Sequence, residues 1–132
     1  MNAIAAAINR KESPKLAAAG LRTFFNIAKC WDLTAKEQCV LLGCAESTFY
    51  KWKDNPNVKL TPEKLERLSY ILGIYKNLQV LFPHSHQADA WLKKPNLAPI
   101  FGGKSALDRM LSGNVADLYV VRQYLDAQRG GW

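Results

Sequence analysis

Apolar residues recur along this chain at three- and four-residue spacing, the period of helices that lay one face on a core. Ser13-Pro14 predicts the first helix, with Ser as N-cap and Pro at the first helical position. That helix should run to about Trp31 and bury Leu21, Phe24, Phe25 and Ala28. Thr34 and Glu37 have the spacing of a capping box, and Leu41 and Leu42 follow on the buried side. Gly43 then permits a tight turn, and Glu46 to Lys53 forms another short helix with Phe49 and Trp52 inward. After a polar turn at Asn55-Pro56, Thr61-Pro62 opens the longest helix, to about Phe82. Its apolar contacts are Leu65, Leu68, Ile71, Leu72 and Leu78, and Gly73 is a local weakness of up to about 1 kcal/mol relative to alanine.

The last third predicts three shorter helices. Ala88, Trp91 and Leu92 share a face before Pro95-Asn96 breaks the pattern, and Gly102-Gly103 makes a second turn. Ser105 and Asp108 form another capping-box pair ahead of Leu107, Met110 and Leu111. Gly113 ends that helix and Asn114 is placed to cap the last one. Leu118, Val121 and Leu125 make the inner stripe of the last helix, bordered by a charged row of Arg122, Asp126 and Arg129. The pattern is all-α.

Composition narrows the class. With 48% apolar residues the chain has material for a core, and no apolar run approaches the roughly 18–20 residues that cross a bilayer. The first eight residues lack the positive charges of a secretory signal, so a cytoplasmic protein without a membrane partner is expected. Cys30, Cys39 and Cys44 cannot all pair within one chain and match no common zinc spacing, which predicts free, mostly buried thiols. His84 and His86 lack further ligands, so no metal or cofactor is expected. There is no glycine-rich phosphate loop and no nucleophile with a persuasive base partner, so an enzyme is the least attractive class and no catalytic residue is assigned. The net charge of +7 is uneven: residues 1–82 carry 12 basic and 7 acidic side chains, against 6 and 4 in 83–132. The positive excess therefore sits mainly in the N-terminal part, a balance compatible with nucleic acid binding.

The segment from Leu33 to Lys53, LTAKEQCVLLGCAESTFYKWK, resembles a helix-turn-helix of the Xre/Cro type. Such a unit sets its second helix into the major groove. By that resemblance Glu46, Ser47 and Thr48 are the base-reading candidates, and Tyr50, Lys51 and Lys53 face phosphates. An ordinary helical hairpin with a solvated basic face is the competing reading.

The C-terminal motifs point the same way. AxxWLxxPN from Ala88 to Asn96, FGGxSxLxxMLSG from Phe101 to Gly113, and the closing YLDAQRGG together resemble the toxin-binding domain of Xre/MbcA/ParS-type antitoxins. Many members have proline after the serine cap, where this chain has Ala106. Residues 1–12, ahead of the first helix, are expected to form a flexible arm, and the resemblance implies a helix-turn-helix domain with its long linking helix over 13–82 and a toxin-binding domain over 83–132. It implies a RES-domain toxin that consumes NAD as partner, operator DNA, a homodimer, and repression of the antitoxin's own promoter. Leu118, Val121, Arg122, Leu125, Arg129, Gly130, Gly131 and Trp132 are the implied toxin contacts, with the tail packed over the toxin's active-site entrance. Leu118 and Leu125 are equally compatible with intrachain core. The alternative function is a stand-alone transcriptional regulator whose C-terminal domain dimerises.

Overall fold

A computed structural model describes residues 13–130. The expected arm over 1–12, and Gly131 and Trp132, lie outside the described residues. Among those described there are seven helices and no strand, so the fold is all-α. They are α1 (Ser13–Cys30), α2 (Ala35–Leu42), α3 (Glu46–Asp54), α4 (Pro62–Leu81), α5 (Ser85–Trp91), α6 (Ala106–Met110) and α7 (Val115–Gln128). α1 opens at the expected Ser13-Pro14 pair.

Local chemistry sets most boundaries. The Thr34 hydroxyl accepts from Glu37 N and the Glu37 carboxylate accepts from Thr34 N, closing the capping box of α2. α2 ends where Gly43 adopts φ +67°, with Gly43 N donating to Val40 O (3.1 Å) and Cys44 N to Cys39 O (3.0 Å). This left-handed cap costs a glycine no Cβ clash. Thr61 caps α4 through Lys64 N, and Ser105 and Asp108 form the second capping box, at α6. Asn114 precedes α7 as expected but makes no side-chain cap bond; Ser112 Oγ accepts from its backbone N–H instead.

α4 is the central strut. It packs against α1 and α2 on the N-terminal side and against α5 and α7 on the C-terminal side, so both halves share one apolar cluster. Leu21 and Phe24 of α1, Trp31 just after it, Leu41 and Leu42 of α2, Phe49 of α3 and Leu68, Ile71, Ile74 and Leu78 of α4 are fully buried in it. Leu92, Met110, Leu118, Val121 and Leu125 extend it into the C-terminal half. Burial of this kind is what stabilises helices too short to persist alone. Of the three thiols only Cys39 is buried; Cys44 is half-buried and Cys30 is exposed, so the expectation of mostly buried cysteines fails at Cys30. No described helix is long and apolar enough to cross a membrane.

Candidate functional site

The first candidate surface is built on α3. Phe49 anchors the helix: it is buried and meets Phe25 edge-on at 5.8 Å between ring centroids. Trp52 is half-buried beside it. With that face fixed, Glu46, Ser47, Tyr50, Lys51 and Lys53 are exposed and Thr48 is half-buried. The Lys53 ammonium stands 5.8 Å from the Phe49 ring, within cation–π reach. All six sequence-derived candidates therefore belong to one short helix that leaves a three-residue turn after α2. A polar helix end with two outward lysines can meet base edges and phosphates together.

This surface is braced from below by Arg67 of α4. Its guanidinium is buried and donates to Gly113 O (2.8 Å), Leu41 O (3.4 Å) and Val40 O (3.5 Å), while Nε lies 3.1 Å from the Glu63 carboxylate. Lys64 Nζ donates to Gly43 O. Arg67, with Lys64 beside it, holds Glu63 below the usual carboxylate range. A Cβ at Gly43 would come within 2.7 Å of Arg67 Nε, so that turn needs glycine for space as well as for backbone. Arg67 thus ties the helix-turn-helix turn to Gly113, the residue before the α7 cap.

The second candidate surface is the C-terminal end, where several of the expected contacts lie inside the fold. Leu118, Val121 and Leu125 have 0, 0 and 1% of their surface exposed. They form the seam of α7 with α4 and offer no surface to a partner. Arg122 is also occupied: its guanidinium fills the space beside Gly73, pairs with Asp126 at 3.7 Å, and reaches Ser69 O at 3.5 Å. Asn77 of α4, itself buried, donates to Asp126 Oδ1 (2.8 Å) and accepts from Arg129 Nη1 (2.7 Å). The charged row is therefore a clamp on α4, with Arg129 still exposed at its far end. Gly130 follows with φ +70°, turning the chain off the helix. The start of α7 is held by Asp117, which accepts from Ser112 Oγ (2.6 Å) and Arg109 Nε (3.0 Å). The Ser112 hydrogen bond and then the arginine lower its pKa.

Arg67, Asn77 and Leu97 were not singled out from the sequence. Arg67 had one readable signal, a cation beside the apolar stripe of α4 and four residues after Glu63. Burial pushes Cys44 up to about 11 and raises Cys39, so neither thiol is a ready nucleophile near neutrality. Among the described residues no group of three His, Cys, Asp or Glu side chains could hold a metal ion.

Comparisons with known proteins cover both surfaces. Residues 12–73 match the family model described as the antitoxin Xre-like helix-turn-helix domain. Residues 77–131 match the antitoxin Xre/MbcA/ParS C-terminal toxin-binding domain. A curated relative, the uncharacterized protein y4oB of Sinorhizobium fredii (strain NBRC 101917 / NGR234), is 52% identical over 114 residues, 86% of each chain.

Proposed function

We propose that this chain, which belongs to the Xre/MbcA/ParS antitoxin family, neutralises a RES-domain, NAD-consuming toxin with its C-terminal tail and represses its own promoter with α3. A DNA-binding helix-turn-helix and a toxin-binding domain on one chain are the antitoxin arrangement. The finer reading rests on one observation: α7 is fixed to α4 by its whole inner face and by the Arg122–Asp126–Asn77–Arg129 clamp, so the chain leaves Gly130 from a rigid platform. A segment released from a fixed point loses less freedom on docking than one released from a loose helix. Arg129, Gly130, Gly131 and Trp132 are the toxin contacts in this reading, and Leu118, Val121, Arg122 and Leu125 position them.

Gly130-Gly131 permits close approach of two backbones, and Trp132 supplies a large apolar group next to it. Occupation of the toxin's active-site entrance by this tail accounts for neutralisation without any chemistry in the antitoxin. On DNA, Glu46, Ser47 and Thr48 read base edges while Tyr50, Lys51 and Lys53 hold phosphates. Two copies bind paired half-sites about one helical turn apart as a homodimer.

The test is co-expression with the neighbouring reading frame. The full chain should restore growth and form a stable complex, and a chain ending after Gln128 should bind without restoring growth. Rescue by both forms would overturn the tail mechanism. If neither form rescues or binds, the chain acts as a stand-alone regulator.

A further inference from the structure

The connection between α5 and α6 carries the most exposed large apolar side chain described. Leu97 has 93% of its surface in solvent, well above Val80 at 57% or Tyr119 at 44%. The segment that carries it is not loose. Pro95 and Ser105 form an antiparallel bridge at its base, Asn96 N donates to Lys104 O (3.0 Å), and Gly103 N donates to Asn96 O (2.9 Å). Inside the loop, Ala98 N donates to Asn96 Oδ1 (2.9 Å) and Phe101 N to Ala98 O (2.9 Å). Leu97 therefore sits between two residues whose backbones are each held by hydrogen bonds.

A single exposed leucine on a monomer needs no explanation. A leucine held fully outward on a tied loop, beside exposed Pro99 and half-exposed Ile100, has the form of a preorganised anchor. Its place in the fold selects the occupant. Phe101, from the same loop, is buried against Tyr124 of α7 at 5.2 Å and Trp91 at 6.0 Å. Arg129 follows Tyr124 by five residues, about 7 Å along the helix axis. Phe101 thus seats the base of the loop on α7, within the unit matched to a toxin-binding domain. Lys94 and Lys104 flank it, both exposed and neither in an ion pair among the described residues.

We infer that Leu97 is the anchor of a second toxin contact, distinct from the tail, and enters an apolar pocket rimmed by carboxylates on the toxin. The inference rests on the antitoxin reading above. Two contacts on one rigid body divide the work: the loop supplies affinity and the tail supplies blockade.

The experiment titrates the purified product of the neighbouring reading frame with three full-fold antitoxins: wild type, Leu97→Asp, and the chain ending after Gln128. Leu97→Asp should bind at least about tenfold more weakly, with the urea midpoint and operator affinity of wild type and full inhibition at saturation. The shortened chain should lose inhibition and keep most of its affinity. Wild-type affinity in Leu97→Asp would overturn the inference while leaving the antitoxin reading intact. So would a Leu97→Asp chain that changes only its own oligomeric mass, because the occupant would then be a second copy. Failure of the wild-type chain to bind would overturn both.

Discussion

The guanidinium of Arg122 stands where a side chain on residue 73 would be: a Cβ built on Gly73 comes within 2.5 Å of Arg122 Nε and Cζ. Helix propensity alone predicts that Gly73→Ala stabilises α4 by about 1 kcal/mol. The contact reverses the sign, because Arg122 must leave Ser69 O and Asp126 to make room. Gly73→Ala should destabilise the chain by about 1 kcal/mol. In an Arg122→Ala background the obstacle is gone, and the same substitution should stabilise. Urea unfolding of the four members of this cycle gives the coupling directly.

Arg67 carries a larger share. Arg67→Ala removes the side-chain donor to the part-buried Gly113 carbonyl and the buried Leu41 carbonyl, while Val40 O keeps Gly43 N, for an expected loss of about 2 kcal/mol. Glu63 is half-exposed and can be rehydrated, which keeps the loss below that of a fully buried pair. Arg67→Lys should recover little, since one ammonium cannot reproduce a fork that serves three carbonyls. Urea midpoints with unchanged slope would measure both.

The elements set by neighbouring residues were legible in the sequence; those set by distant ones were not. Thr34/Glu37, Ser105/Asp108, Thr61-Pro62 and Gly43 act within four residues of themselves, so their spacing is enough to place α2, α6, α4 and the turn. The inner stripe Leu118–Val121–Leu125 was equally readable, but periodicity does not say whether the partner is α4 or another protein. Gly73 read as a weakness because propensity contains no Arg122. Arg67 and Asn77 reach groups 26 or more residues away, and the one local sign, Arg67 four residues after Glu63, does not name those partners. In α3, one buried aromatic, Phe49, fixes which side faces out, and the sequence shows that residue plainly.

Acid stability should depend on Asp117. Its folded pKa lies below the ordinary 3.8, so its stabilisation is complete above that value and is lost as pH falls through the folded pKa. Glu63 acts in the same direction below its ordinary 4.5, more weakly because it is half-exposed. Asp117→Asn should lower stability at pH 6 and flatten its decline below pH about 4. Chemical denaturation across that range would show both effects, and an unchanged acid slope would count against the Ser112–Asp117–Arg109 arrangement.

Removal of one phosphate contact should have a different signature from removal of a base contact. Lys51→Ala should weaken operator and unrelated DNA alike and reduce the salt slope of log K by about 1. Ser47→Ala should leave the slope in place and narrow the gap between operator and unrelated DNA. Fluorescence anisotropy over a salt series distinguishes the two.

In the proposed mechanism the tail after Gln128 shuts the toxin while the rest of the domain holds it. The most direct measurement follows NAD consumption by the purified toxin, alone and with saturating full-length or shortened antitoxin. We expect consumption to stop with the full chain and to continue in a stable complex with the shortened one. Equal inhibition by both forms, or no NAD consumption by the toxin alone, would contradict it.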